Sequence, residues 1–418
     1  MRVLVVVVAA VARALAPPKV AVVGGGLGGL ASGIALRKTG FDVTVFERAA
    51  TLEGYAGTGL TLWPNGQAAL AGIDEALSAT LQTIGAPTDH IEVTDASGEN
   101  PLPNPTGDPR RFPAVYGFPM RNVRWSTLRS CLAARFAEVG GTVVLDRSCV
   151  GFDEKADALR LVDHSGAARD VEGFDVVVGA DGLHSALRAQ LVDDGAPRDA
   201  GRTIWRAVIP FTRDLRRLLA LNSCSMSAGS GKVGFLTDIG DDLLYWSAFA
   251  TDEALAASTV DRAAHGDDVK AYLAEEFADV FKLLPCVEAT PAASILERRV
   301  SDRAPLVDGA GAPQIPWTSG KVTLLGDAFH AMIPSLGQGA NSSFEGAYRL
   351  ASALHAAPDG DVEAALRAYE AGQMARVASI VDASARQGKM VYEDKDAFMK
   401  NQAEAQDEIW GVSFAPLV

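Results

Sequence analysis

The chemistry-bearing residues of this chain begin with a glycine turn. Gly24-Gly25-Gly26-Leu27-Gly28-Gly29 satisfies G-x-G-x-x-G, follows the β-branched run Lys19 to Val23, and precedes the proline-free stretch Leu30 to Lys38. In such a unit Gly24 permits a tight turn, and Gly26 lets the backbone approach a pyrophosphate. Gly29 allows close helix-to-strand packing, and the helix N-terminus faces the negative charge. A second strand, Phe41 to Phe46, ends at Glu47, whose carboxylate stands at the spacing expected for hydrogen bonds from ribose hydroxyls. Strand, glycines, helix, strand and acid in that order indicate a dinucleotide site, without separating NAD from FAD.

Two later motifs carry more. Asp175-Val-Val-Val-Gly-Ala-Asp181-Gly182 runs a strand into an Asp-Gly turn, with Ser185 and Arg188 after it. Lys321-Val-Thr-Leu-Leu-Gly326-Asp327 repeats the design and is followed by His330, Pro334 and Gly337-Gln338-Gly339-Ala340-Asn341. A carboxylate at a strand end can bind a polyol hydroxyl, and a glycine-rich helix start can offer N–H groups to an electron-rich ring edge. A flavin needs both. Asp327 can also act as a helix N-cap, and His330 reads as a packed residue rather than an acid or base.

The elements that must position these residues are spread along the whole chain. Strand-like runs entering glycine loops recur at Val20 to Val23, Val176 to Val178 and Val322 to Leu325, and between them lie the alternating strands Thr203 to Ile209 and Leu243 to Ala250. This predicts an α/β protein: a Rossmann-type nucleotide-binding domain built from discontinuous segments, with an inserted mixed β-sheet that supplies the substrate pocket. The expected boundaries are residues 17–100, 119–200 and 301–358 for the first, 101–118 and 201–300 for the second, and 359–418 for a C-terminal helical segment. In that last segment Ala365, Tyr369, Met374, Val377 and Ile380 recur at helical spacing. Period-two alternation puts Trp205 and Arg206 on opposite faces of one strand, and Tyr245 and Trp246 on opposite faces of another. Arg206 and Tyr245 are pocket candidates, Arg206 as a partner for an anionic substrate, although an arginine at a sheet edge usually faces water.

Composition narrows the function. Of 418 residues, 48% are hydrophobic and 22% charged, the mix of a folded globular protein. Thirty-eight basic against 52 acidic residues give a net charge of -14, the wrong sign for a nucleic-acid surface. The four cysteines and six histidines show no metal-ligand spacing, so no metal site is expected. Met1 to Ala16, with Arg2, an apolar run and small residues, reads as a short organellar or secretory targeting segment or as an upstream extension, and is too short to span a bilayer.

On these three motifs, from about Lys19 to Ser384, the chain resembles the FAD-dependent aromatic hydroxylases, the single-component flavoprotein monooxygenases that include p-hydroxybenzoate, salicylate and urate hydroxylases and, more distantly, zeaxanthin epoxidase. The resemblance implies that Gly24, Gly26, Gly29 and Glu47, with Arg48 beside them, hold the ADP half of FAD. It implies that Arg124, before a helix, contacts the cofactor, and that Val150 offers a backbone contact to adenine. Asp181 is associated with both FAD and NAD(P)H, Asp327 with the ribityl chain, and Gly337, Gln338, Gly339, Ala340 and Asn341 with the pyrimidine end of the ring. The implied reaction is hydroxylation of a small aromatic or heteroaromatic substrate by NAD(P)H and O2 through a flavin C4a-hydroperoxide. No side-chain nucleophile is needed for it, and no G-x-S-x-G or other triad is present. A single dinucleotide fingerprint fits NAD(P)H visiting the flavin transiently. Glu345-Gly346-Ala347 departs from the family's Glu-Asp-Ala and puts local helix packing in question, and Asn341 replaces a small residue, so flavin edge contacts are expected to differ. An isoprenoid or carotenoid epoxidase and a flavin-binding protein without turnover are the alternative readings; a plain NAD-dependent dehydrogenase leaves the two later motifs unexplained.

Overall fold

The computed structural model of the protein describes residues 17–53, 58–102, 104, 106–306, 316–357, 360–393 and 407–418. The segment Met1 to Ala16 lies outside the described residues. Five parallel strands form the first sheet, in the order Val322–Leu324, Val176–Gly179, Lys19–Val23, Asp42–Phe46 and Thr142–Val144. The run from Val20 to Val23 is apolar throughout because both faces are covered. Val20 and Val22 pack with Leu30 and Ile34 of the helix Leu27–Lys38, while Ala21 and Val23 pack with Leu187 and Trp317 on the other side. The three runs singled out in the sequence are thus adjacent strands, although they are some 150 residues apart.

The second sheet is mixed, as expected. Its order is Leu296–Asp302, Arg198–Pro210, Leu243–Thr251, Lys232–Asp238, Ser223–Gly229 and His90–Asp95. The last of these corrects the expected boundary at residue 100: His90–Asp95 adds parallel to Ser223–Gly229 and belongs to this sheet. Of residues 101–118, expected within the sheet, Pro101 bridges Thr94 and the Leu102 N–H meets the Val93 carbonyl at 2.8 Å, while the described residues beyond them are turns and the short helices Pro109–Arg111 and Phe112–Tyr116. Prolines at 101, 103, 105, 109 and 113 remove the N–H donors that a strand there would need. On one face of the sheet Trp205, Ala207, Leu236, Leu244 and Trp246 pack against the helices Val269–Glu276 and Leu283–Ala289. The indole N–H of Trp246 finds the Thr290 hydroxyl at 2.9 Å, which satisfies its one donor inside that core. The other face is turned toward the glycine turn of the first sheet.

The helices Gly339–His355 and Val362–Glu393 close the structure, and Ala365, Tyr369, Met374, Val377 and Ile380 are all buried as their spacing predicts. The packing question at Glu345-Gly346 resolves in favour of an unbroken helix. Gly346 faces Gln373 with room for an ordinary van der Waals contact, and the fully buried Glu345 accepts two guanidinium N–H groups of Arg376, each at 2.8 Å. The Asn65 amide donates to the same carboxylate at 2.6 Å. Arg376 also donates to the Ile409 carbonyl at 2.7 Å and to the Glu408 carbonyl at 2.6 Å, tying down the C-terminal segment. All four cysteines are free thiols. Among the described residues no cluster could hold a metal ion, and no helix is long and apolar enough to cross a membrane.

Removing one member of a buried, hydrogen-bonded ion pair strands the other charge, at a cost of about 3–5 kcal/mol. Arg376→Leu is therefore expected to lower the thermal unfolding midpoint markedly. Arg376→Lys, which keeps the charge but loses the fork, should lower it by less. Differential scanning calorimetry of the two variants checks this order.

Candidate functional site

The glycine turn sits where the Lys19–Val23 strand meets the helix Leu27–Lys38. Gly24 has φ +106°, and a β-carbon there would lie 2.3 Å from the Ala180 carbonyl oxygen; one on Gly29 would lie 1.9 Å from the Gly24 carbonyl. Both positions are closed to any side chain by backbone. Gly26 differs, because nothing lies within 4 Å of its missing β-carbon. The side kept open is the one that lines a cavity of about 600 Å³, whose wall also includes Leu27, Gly28, Ala180 and Gly182. Glu47 is buried behind the turn: one carboxylate oxygen accepts the Gly25 N–H at 2.8 Å and the other the Ala49 N–H at 2.9 Å. Arg129, absent from the sequence reading, backs the same carboxylate at 3.4 Å and donates to the Gly25 carbonyl at 2.8 Å. Arg48 is exposed beside it.

Asp181 ends the Val176–Gly179 run. One carboxyl oxygen accepts the Ala186 N–H at 2.9 Å, the other is buried without a partner, and burial raises the carboxyl above its usual range. Arg124 closes its strand and caps the helix Trp125–Glu138, and its Nε is also buried without a partner among the described residues. Val150 is 55% exposed at a bulge in its strand, so its backbone is freed from the ladder.

Asp327 opens into the same cavity. The residue is exposed, and the protein around its carboxyl desolvates it and raises its pKa. Opposite it the helix Gly339–His355 begins, and the N–H groups of Gly339, Ala340 and Asn341 have no helical carbonyl to bond. The side chains of this loop do something else. Asn341 is fully buried, accepts the Trp63 N–H at 3.0 Å and donates to the carbonyls of Thr61 at 3.0 Å and Gly337 at 2.9 Å. Gln338 is turned inward too, its carbonyl accepting from Asn65 at 2.9 Å. Both residues therefore fix the loop with their side chains and leave the loop's backbone for the cavity. His330 is buried with neither ring nitrogen bonded, and burial lowers its pKa to about 4, so it is a neutral packed residue at neutral pH.

The far wall of the cavity is the open face of the second sheet. Arg206 and Tyr245 both lie on it, whereas Trp205 and Trp246 lie in the core behind. The Arg198–Pro210 strand is internal, between Leu243–Thr251 and Leu296–Asp302, so Arg206 stands half-buried on the sheet face that lines the cavity rather than at a sheet edge. Its Nε is buried without a partner. Burial pushes the Tyr245 hydroxyl up, against the pull of Arg206 and Ser247 beside it. Met226, Phe235, Ile91 and Val93 line the same wall; alternation along Ser223–Gly229 and Lys232–Asp238 carried that signal in the sequence, but the layer that selects the face did not. Trp63, at the loop end, stacks on Trp410 of the C-terminal segment with ring centroids 4.5 Å apart.

Comparison with known proteins agrees with this layout. A family described as an NAD(P)-binding Rossmann-like domain matches residues 22–67, and one described as an FAD binding domain matches residues 309–384. The chain is 32% identical to aurachin C monooxygenase/isomerase of Stigmatella aurantiaca over 89% of each chain. It is 31% identical to 3-amino-4-hydroxybenzoate 2-monooxygenase of Streptomyces cremeus, over 87% of this chain and 84% of that one. The solved structure of Klebsiella pneumoniae HpxO with FAD and uric acid superposes with a TM-score of 0.74, at 23% identity, over 93% of both chains.

Two outcomes follow from the geometry. Gly26→Ala should leave the fold intact and weaken FAD retention, since its β-carbon meets only open cavity, whereas Gly29→Ala should lower the unfolding midpoint of the cofactor-free protein as well. Thermal melts and released-FAD assays on both variants separate the two effects. The His330 imidazole takes a proton near pH 6.5 when unfolded but near 4 when folded. The stability this gives is present above pH 6.5 and lost as pH falls toward 4, by about 3 kcal/mol. Urea unfolding across that window should show a shallower acid-side loss in His330→Leu than in the unmodified protein.

Proposed function

This chain belongs to the FAD-dependent aromatic monooxygenases, enzymes that use NAD(P)H and O2 to hydroxylate a small ring compound, and we propose that its substrate carries an acidic group held by Arg206. The observation that carries the proposal is the buried, unpartnered Arg206 Nε on the wall that faces the glycine turn and Asp327 across one cavity. A buried cationic donor without an acceptor is costly, and an anionic oxygen would satisfy it. The relatives support this class by name: 3-amino-4-hydroxybenzoate is the substrate named for one, and uric acid is the compound bound in the solved neighbour. A substrate that is hydrocarbon at its reacting end, as the isoprenoid epoxidase reading requires, would leave the Arg206 Nε without an acceptor.

The walls suit FAD. In our assignment the open side of Gly26 and the N-terminus of Leu27–Lys38 would receive the pyrophosphate, and Glu47 the adenosine ribose, with Arg48 and Val150 at the adenosine end. Asp327 would receive the ribityl chain, and the loop of Gly337, Gln338, Gly339, Ala340 and Asn341 would line the ring edge, with the N–H groups of Gly339, Ala340 and Asn341 left for it while that of Gly337 is given to the Pro334 carbonyl at 3.0 Å. The orphaned polar atoms of Arg124 and Asp181 fit a polar ligand laid along this path. When bound, FAD supplies the redox chemistry: it takes a hydride from NAD(P)H and delivers one atom of O2 to the substrate.

What the chain's own residues do can be derived from their chemistry. The Arg206 guanidinium favours the ionised form of a substrate hydroxyl or carboxyl beside it, and an ionised ring hydroxyl makes the ring carbons richer in electrons. Tyr245, with its hydroxyl next to Arg206 and Ser247, stays protonated because it is desolvated, so it can donate a hydrogen bond to the same anionic oxygen. The apolar side chains of the pocket sheet keep water from the reacting atoms. Hydrogen bonds to a charged group contribute about 1.5–3 kcal/mol, so Arg206→Ala should raise KM for an acidic aromatic substrate roughly ten- to a hundredfold. FAD content should stay unchanged. Steady-state NAD(P)H oxidation over a panel of hydroxy- and aminobenzoates tests this, and an unchanged KM removes Arg206 from the site.

A further inference from the structure

The open face of the second sheet is divided in polarity along a single rung. Val93 pairs with Met226, Met226 with Phe235, Phe235 with Ser247, and Ser247 with Arg206. All five side chains line the cavity. Side chains in register on one face stand one strand spacing apart, about 4.8 Å, so the rung runs roughly 19 Å from Arg206 to Val93. The two positions at the Arg206 end are polar. The three at the other end are hydrocarbon or thioether, and the neighbouring rung extends that half with Ile91 and Cys224. In the loop beyond it the Asn104 amide donates to the Gly107 carbonyl at 2.7 Å and its oxygen accepts the Thr106 N–H at 3.0 Å, so both ends of that side chain are spent on their own turn.

An aromatic ring whose acidic group meets Arg206 spans about one to two strand spacings and reaches Phe235. It leaves the cavity side of the wall beyond it apolar: Phe235, Met226 and Ile91 are half-buried and line the cavity, with Val93 buried at the end of the rung. Such surface is costly in water and marks a place where apolar ligand atoms bind. We infer that this half of the wall is a subsite for an apolar substituent, an alkyl or prenyl-like chain, carried by the aromatic substrate on the side away from its acidic group. The inference deepens the Arg206 reading and rests on it for the direction in which the chain points. Met226, with its flexible thioether, is the residue suited to adapt to chains of different shape.

Calorimetric binding to the FAD-loaded protein tests this with two probe series, phenol with its 4-ethyl, 4-butyl and 4-hexyl derivatives, and benzene with its ethyl and butyl derivatives. The expected result is a Kd that falls roughly three- to fourfold per added methylene, at about 0.8 kcal/mol each, until the wall is covered. Gain with length in both series, with no advantage of phenols over benzenes, would sustain the subsite and contradict the Arg206 anchor. Flat or rising Kd with length in both series overturns the subsite, as would happen if the cofactor's own ring covers this wall. Val93→Thr, nearly the same shape, and Met226→Gln should each reduce the ratio of Kd between the phenol and 4-hexylphenol, with FAD content as the control for folding. An unchanged ratio in both variants overturns the assignment to this rung.

Discussion

The structure depends on how one buried asparagine holds a loop. Asn341 gives its amide oxygen to the Trp63 N–H and its amide nitrogen to two carbonyls, Thr61 and Gly337, with no exposure to solvent. The bonds to Trp63 and Thr61 join the start of the helix Gly339–His355 to a segment nearly 280 residues earlier in the chain, and the bond to Gly337 closes the loop on itself. They are buried, so breaking any one leaves an unpaired polar group at a cost of about 1–3 kcal/mol. The loop between Gly337 and Asn341 is consequently fixed where its free N–H groups face the cavity. A second set of bonds runs from Gln338 through Asn65 and Glu345 to Arg376 and the Ile409 carbonyl. The C-terminal segment and the helix start are thereby parts of one hydrogen-bonded unit.

Around that fixed loop the cavity is assembled from parts that could not act separately. The first sheet supplies the glycine turn, Ala180, Gly182 and Asp327; the second supplies Arg206 and Tyr245; and Trp63 stands between them against Trp410. Buried charges in this space lack ordinary partners, which is the energetic mark of a site shaped for a polar ligand rather than for stability. Asp327 and Asp181 are both pushed toward their neutral forms by desolvation. A monooxygenase of this family leaves oxygen chemistry to its cofactor, so what the chain must do is orient a ring and keep water out, and a wall polar at one end and apolar over the rest suits both.

Much of this was legible in the sequence, for reasons that can be given residue by residue. The turn from Gly24 to Gly29 is fixed by local sterics, so its spacing alone predicted close packing, and in the structure a β-carbon on Gly29 would lie 1.9 Å from the Gly24 carbonyl oxygen. Alternation separated Trp205 from Arg206 and Tyr245 from Trp246. It could not say which face meets the cavity, because that depends on the helices Val269–Glu276 and Leu283–Ala289 covering the tryptophan side. Non-local pairing defeated the domain boundary: His90–Asp95 joins a strand more than 130 residues later, and nothing within the segment signals it. Asn341 was expected at the flavin edge by its position in the motif, and its side chain points inward because Gly66 leaves room only for an amide there. Arg129 and Arg376 were missed because a buried arginine looks like any surface arginine until its carboxylate partner is known.

The proposed activity of this cavity is hydroxylation of an acidic aromatic compound with FAD, NAD(P)H and O2. The most direct measurement is turnover of the FAD-loaded protein with NADH or NADPH and a panel of hydroxy- and aminobenzoates under isotopically heavy O2, followed by mass analysis of the products. The account predicts a hydroxylated product that carries one heavy oxygen atom, formed with consumption of one reduced nicotinamide. Nicotinamide oxidation that yields only hydrogen peroxide with every acidic aromatic, or a product whose new oxygen comes from water, would contradict it.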